Sequence, residues 1–219
     1  MVSQTSESAY SLGEEIAHAV THGIGIVLSI AGLAVLVAFA SLYGNAWHIT
    51  SCSIYGATLI LLYTASTLYH GIPQPRVKRV LQRIDHAAIF LLIAGTYTPY
   101  TLVNLRGEWG WTLFGLVWSI AILGVLLEVL IKRRIKWLSL SLYLGLSWMV
   151  VIAIKPLIDN VATGGLILLL AGGLCYSLGV IFYLWKRLAY HHAVWHLFVM
   201  VGSLLHFFSI LFYVLPPAQ

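Results

Sequence analysis

The chain has 219 residues, of which 60% are hydrophobic and 9% charged, against about 25% charged residues in an ordinary soluble domain. That balance excludes a soluble domain, a disordered chain and a nucleic-acid binder, and two cysteines are too few for a disulfide scaffold. A helix needs about 20 apolar residues to cross a hydrocarbon core about 30 Å thick, so the length accommodates about six to eight spans and no extramembrane domain.

The first fifteen residues, ending in Glu14 and Glu15, are polar and acidic and read as a short tail (1–15) ahead of a single membrane domain (16–219). They lack the basic region and cleavage site of a secretory signal, so no processing is expected. Apolar runs then fall at about Thr21 to Leu42, Ser51 to Tyr69, Ile84 to Leu102, Trp111 to Ile131, Leu138 to Ile154, Gly164 to Trp185 and His192 to Tyr213. These runs are continuously apolar and about twice the length of a tilted barrel strand, which selects an all-α, seven-transmembrane-helix bundle over a barrel. Most prolines punctuate: Pro73 and Pro75 follow the second span, Pro156 the fifth, and Pro216 and Pro217 the seventh, whereas Pro99 is expected to kink the third. Cys52 and Cys175 fall at different depths and are expected to be free thiols.

With seven spans, one side holds Arg76, Lys78, Arg79, Arg83, Lys132, Arg133, Arg134, Lys136, Lys186 and Arg187, and the other only Arg106 and Lys155. The positive-inside rule therefore predicts a cytoplasmic N-terminus and an external C-terminus in a bacterial inner membrane. Val77, Val80, Leu81 and Ile84 recur at helical spacing among Arg76, Lys78, Arg79 and Arg83, which reads either as a short interfacial helix meeting anionic headgroups or as the topology signal alone. Glu128 stands four residues before Lys132, a favourable pairing distance on a helix. Gly25 with Ser29 and Gly173 with Ser177 form small-xxx-small pairs suited to close helix packing.

Nine histidines are costly in so apolar a chain. His18, His22, His70, His86, His191, His192 and His196 all map to the cytoplasmic ends of spans, whereas His48 and His206 map to the outer half. His192 and His196, four residues apart, lie on one helical face with Cβ atoms about 5–6 Å apart, a spacing that suits two imidazoles on one metal. His18 and His22 form a second such pair at the same level, and spacing alone does not choose between them. On the second span Ser66 and His70 share a face, and His70 offers a third nitrogen. Three neutral histidines leave tetrahedral zinc one position for water, the catalytic pattern. Asp85 at the start of the third span is a candidate general base. The plainer readings are a histidine packed against carbonyls, an Asp acting as a helix cap, and a Ser bonded to its own helix. His191 lies about 140° around the helix from His196, and His206 about 21 Å along it from His192, so neither shares that metal; His206 reads as an interhelical hydrogen-bonding group.

Taken together, Glu14-Glu15 through Thr21-His22-Gly23, Ser66-Thr-Leu-Tyr-His70, Arg83-Ile-Asp85-His86 with Ala94-Gly95-Thr96-Tyr97-Thr98-Pro99, and His192-Ala-Val-Trp-His196 with His206-Phe207 resemble the bacterial hemolysin III proteins, which belong with the progestin and adipoQ receptors. The resemblance spans essentially the whole chain. It implies zinc bound by His70, His192 and His196, water held by Asp85, and Ser66 in support, and so favours the pair on the last span. His22 matches a family position that is not a zinc ligand, and His18 stands where the family pattern favours Asn. Similarity to a wider superfamily that includes alkaline ceramidases implies hydrolysis of a lipid amide or ester in membrane lipid homeostasis. The receptor side of the family implies instead a non-catalytic sensor with structural zinc. Direct lysis ranks below both, because the chain lacks a secretion signal and long amphipathic barrel segments.

Overall fold

The computed structural model of the chain describes residues 10–131 and 135–216. The regular structure among these residues is all helical: α1 (Leu12–Tyr43), α2 (Ala46–Gly71), α3 (Pro75–Pro99), α4 (Glu108–Leu130), α5 (Lys136–Ser147), α6 (Ile154–Asn160), α7 (Thr163–Leu184) and α8 (His191–Tyr213). A π-helical turn (Tyr100–Asn104) extends α3, and a 3-10 segment (Met149–Ala153) joins α5 to α6, so the described residues contain seven helical segments long and apolar enough to cross a membrane. Exposed Leu, Ile and Val side chains cover the bundle's outside. That surface needs hydrocarbon around it, because a water-soluble monomer rarely exposes a large contiguous apolar patch.

Span boundaries follow chemistry that hydropathy does not register. α1 begins at Leu12, not near Thr21, because Ser11 and Glu14 form a capping box: Ser11 Oγ accepts from the Glu14 N–H at 3.3 Å, and Glu14 Oε2 accepts from the Ser11 N–H at 2.9 Å. The expected tail therefore loses Leu12 to Glu15 to the helix. α3 starts at Pro75, where a missing N–H costs nothing, and runs unbroken to Pro99. The basic stretch Arg76 to Ile84 is thus the first turns of the third span, not a separate interfacial helix. Within it Arg76 and Arg79 are exposed, Lys78 turns toward α1, and Arg83 Nη1 donates to the Val129 carbonyl at 3.3 Å.

Pro99 changes the helix type: beyond it the Leu105 N–H bonds to the Tyr100 carbonyl at 2.8 Å, an i→i+5 turn. The fifth span is broken, and Pro156 lies inside it near the start of α6 instead of following it. The break is closed from another helix. Tyr97 Oη, on α3, accepts from the Val150 N–H at 2.8 Å and lies 3.0 Å from the Leu146 carbonyl and 2.8 Å from the Ser147 carbonyl, to which its proton is donated. Cys52 and Cys175 are free, as expected. Lys132 lies outside the described residues; Glu128 is buried and accepts from Tyr143 Oη at 3.2 Å.

α1 packs chiefly on α2 and α8, α7 on α8, and α2 on α3. α5 packs on α3 and α4, and from the break Trp148 Nε1 donates to Ser177 Oγ on α7 at 3.0 Å. Between these elements a cavity of about 390 Å³ runs along the bundle. Its wall is mostly aliphatic, including Leu62, Leu92, Leu144, Leu157, Leu170 and Val199.

Candidate metal centre at the basic end of the bundle

Three helices bring the histidines together. α2 carries Ser66 and His70 one turn apart at its end, and α8 carries His192 and His196 one turn apart at its start. Tyr190, the residue before α8, holds a left-handed backbone conformation (φ 56°) that is sparsely populated by non-glycine residues, and its N–H donates to Glu14 Oε1 at 3.4 Å. The start of the last helix is thereby tied to the start of the first. α1 contributes Glu15, His18 and His22, spaced i, i+3 and i+7 on one face.

His70, His192 and His196 are buried, and each offers a ligand atom within 4.8 Å of the other two. Their ring centroids are separated by 5.2 Å (His70 to His192), 5.3 Å (His70 to His196) and 4.6 Å (His192 to His196). His22 stacks on His196 with centroids 3.6 Å apart and planes within 10°, which fixes that ring's orientation. His18 stands in the middle of the group, its ring 4.6 Å from His70, 4.8 Å from His192 and 5.4 Å from His196. Tyr10 covers the cluster, its ring 4.7 Å from His18 and 5.3 Å from His192.

The donor set fits a metal ion. His70 Nε2, His192 Nδ1 and His196 Nδ1 are buried with no hydrogen-bond partner, and a polar atom left so costs about 1–3 kcal/mol. Buried imidazole lone pairs suit a divalent transition ion far better than calcium or magnesium, which take oxygen ligands. Glu15, His18 and His70 form a second group of potential ligands, with ligand atoms within 4.8 Å of one another, sharing His70 with the first.

The other expected site residues fall on one surface. Ser66 and Asp85 line the cavity together with His22, His192 and His196, so a hydroxyl and a carboxyl face the same space as these three imidazoles, whereas His70 stands behind that wall. Asp85 lies ten residues inside α3, which removes the reading of it as a helix cap. His191 turns its Nδ1 to the Phe182 carbonyl at 3.1 Å, away from the cluster. His206 donates from Nε2 to the Leu169 carbonyl at 3.0 Å, the interhelical bond expected of it. The sequence reading missed Glu15, which sits against His70. The signal was present: with the helix extended back to Leu12, Glu15 falls on the face of His18 and His22.

Comparison with known proteins identifies the family of the chain. The family described as "Haemolysin-III related" matches residues 10–207, nearly the whole chain. "Hemolysin-3" of Bacillus cereus is 48% identical over 206 residues, covering 94% of each chain, and the "Hemolysin-3 homolog" of Bacillus subtilis (strain 168) is 48% identical over 204 residues, 93% of this chain and 96% of the other. "Monocyte to macrophage differentiation factor" of Homo sapiens is 29% identical over 203 residues, 90% of this chain and 83% of its own. Seven spans, a histidine cluster at one end of the bundle and a family match running from Tyr10 to Phe207 lead to one conclusion: the chain belongs to the haemolysin-III related family of multi-pass membrane proteins.

Proposed function

We propose that the chain is a zinc-dependent hydrolase of a lipid amide or ester, acting at the cytoplasmic face of a bacterial inner membrane in membrane lipid homeostasis. The observation that carries the reading is the opening of a long apolar cavity onto Ser66, Asp85, His192 and His196 at its polar end. Its volume of about 390 Å³ falls within the roughly 300–1,000 Å³ of ligand pockets. An acyl chain occupies the aliphatic length, and the polar linkage lies at the imidazoles. His70, His192 and His196 hold the metal. When bound, zinc polarises a carbonyl and brings the pKa of water to about 7. Asp85 would serve as the general base, holding a proton at its carboxylate and passing it to the leaving group. Ser66, one turn before His70, orients the carbonyl oxygen. Arg76 and Arg79, exposed at the start of α3, meet anionic headgroups, and the dense basic loops support a cytoplasmic position for this end of the bundle.

His18 favours a second reading. A fourth imidazole this close would close the coordination sphere and leave no position for water, which is the structural type of zinc site and suits a sensor. The two readings part on His18→Asn and Asp85→Asn. In the hydrolase, both variants keep one zinc per chain, and Asp85→Asn alone abolishes turnover. The deciding experiment compares the lipids of a deletion strain complemented with the parent or with Asp85→Asn. A lipid amide or ester that accumulates only with Asp85→Asn supports hydrolysis, and identical profiles refute it. Stoichiometric zinc that persists in His192→Ala/His196→Ala refutes the ligand set.

A further inference from the structure

A metal-bound imidazole works through one ring nitrogen, and its other nitrogen determines which tautomer is present and which way the ring faces. At His70 that other nitrogen is committed. His70 Nδ1 lies 2.6 Å from Glu15 Oε2 and 3.3 Å from His18 Nδ1; the shorter contact, to an oxygen that can only accept, takes the ring's proton and leaves Nε2, buried without a partner, as the lone pair available to a cation. Glu15 is itself held: Lys78 Nζ lies 2.9 Å from Oε1 and also donates to the Tyr69 carbonyl, the residue before His70, at 2.9 Å. Three elements are thus joined at one histidine: Glu15 from α1, His70 from α2 and Lys78 from α3.

We propose that Glu15, anchored by Lys78, is the positioning residue of the metal centre, fixing His70 in the Nδ1–H tautomer and raising the basicity of Nε2. The proposal rests on the reading of His70, His192 and His196 as the ligands, and extends it to a residue outside them. Of the three imidazoles, His70 is the one set on a different helix from the other two, so its orientation is not fixed by the spacing of an HxxxH pair. A carboxylate hydrogen bond supplies what the spacing does not. The alternative occupancy, a metal held directly by Glu15, His18 and His70, makes the opposite demand on Glu15 and is separated by the same experiment.

The test uses the full chain purified into lipid nanodiscs, with Zn2+ affinity read by competition against a chromophoric chelator and Co2+ read by its visible spectrum. Glu15→Gln keeps the size and a hydrogen-bond acceptor while removing the charge. It is expected to bind one Zn2+ about 10–100-fold more weakly, the usual effect of losing such a partner, with an unchanged tetrahedral Co2+ band. Glu15→Asp, which restores the charge one methylene short, is expected to bind between the two. A purely structural role would lower the melting temperature without this ordering of affinities. Affinity of Glu15→Gln within twofold of the parent overturns the proposal, as does a Co2+ band that changes form, which would make Glu15 a ligand. Zinc retained by His192→Ala/His196→Ala but lost in Glu15→Gln overturns the ligand set itself, so the two failures are distinguishable. Should Glu15→Gln not fold, Glu15→Asp decides, because parental affinity there is incompatible with a contact as short as the one seen.

Discussion

Tyr97→Phe removes a single oxygen from the point where the fifth span is broken. The ring keeps its packing, and the loss falls on the hydroxyl, which accepts from the Val150 N–H at 2.8 Å and donates to the carbonyls at the end of α5. A backbone N–H deprived of its acceptor away from water costs about 1–3 kcal/mol. Interhelical hydrogen bonds in membrane proteins average about 0.6 kcal/mol and reach about 1.7, because the unfolded chain in lipid also finds partners. This hydroxyl accepts from the Val150 N–H at the break itself, so the upper part of that range applies. The expected loss is about 1–2 kcal/mol, a roughly 5–30-fold rise in the unfolding equilibrium constant. Reversible unfolding in mixed detergent micelles measures it, and hydrogen exchange at Val150 should accelerate by a similar factor. Tyr43→Phe, at the exposed end of α1, is the control, expected to stay within about 0.5 kcal/mol of the parent. If Tyr97→Phe matches the control in both measurements, the break is not held by Tyr97 and the account of the fifth span fails.

Two further outcomes follow from the glycines that shape the bundle. A Cβ at Gly172 would run into the His206 ring and come within 3.0 Å of the Gly202 carbonyl, so Gly172→Ala is expected to displace His206 from Leu169 and destabilise by about 1–3 kcal/mol in thermal unfolding. Gly115→Ala meets nothing within 4 Å and should stabilise by up to about 1 kcal/mol; equal effects at the two sites would contradict the packing. Gly173 faces cavity space, its nearest neighbours being Trp148 ring carbons at 4.0 Å, so Gly173→Leu should reduce bound lipid measured by mass spectrometry while zinc affinity stays unchanged. Undiminished lipid in that variant would contradict the placement of the acyl chain.

The spans that hydropathy located to within a residue or two, α7 and α8, are those whose apolar runs begin and end with the helix. α1 and α3 extend past the apolar run, because helical hydrogen bonding continues into charged sequence wherever a cap or a proline starts it. For α1 the cap was legible, since Ser11 and Glu14 have the S-x-x-E spacing of a capping box, but an acidic stretch at the N-terminus read as a tail. For the fifth span it was not, because the group that completes the break, Tyr97 Oη, is some fifty residues distant. The HxxxH pair and the Ser66, His70 pair were visible as spacing because each lies within one helix. The contact of Glu15 with His70 crosses from α1 to α2, and no periodicity encodes it.

The distribution of buried polar groups separates what holds the bundle together from what the bundle is for. A lipid-embedded chain satisfies its polar atoms internally, since the surroundings offer no water. From the middle of the bundle to the end remote from the basic loops most are paired, with His206 Nδ1 and Asn104 Oδ1 as exceptions: Tyr63 Oη donates to Ser203 Oγ at 2.8 Å, Tyr55 Oη to the Ser203 carbonyl at 3.1 Å, Tyr100 Oη to Ser209 Oγ at 2.7 Å, and Ser209 Oγ to the Gly165 carbonyl at 2.9 Å. These bonds join α2, α3, α7 and α8 and have the form of interhelical glue. The basic end spends the same kind of residue differently. His18 Nε2, both ring nitrogens of His22, His70 Nε2, His192 Nδ1 and His196 Nδ1 are buried within one small region and unpartnered, although serines and carbonyls that would have satisfied them are abundant in the sequence. A cost of about 1–3 kcal/mol for each such atom is substantial against a total stability of about 5–15 kcal/mol, and a cation bound by His70, His192 and His196 would remove it at those three rings at once. Stripping the metal should therefore destabilise this end of the bundle selectively: hydrogen exchange at His192 and His196 rises, while that at Ser203 and Ser209 does not. Uniform loosening of α8 would mean that the two ends are one cooperative unit and that the histidines serve packing alone.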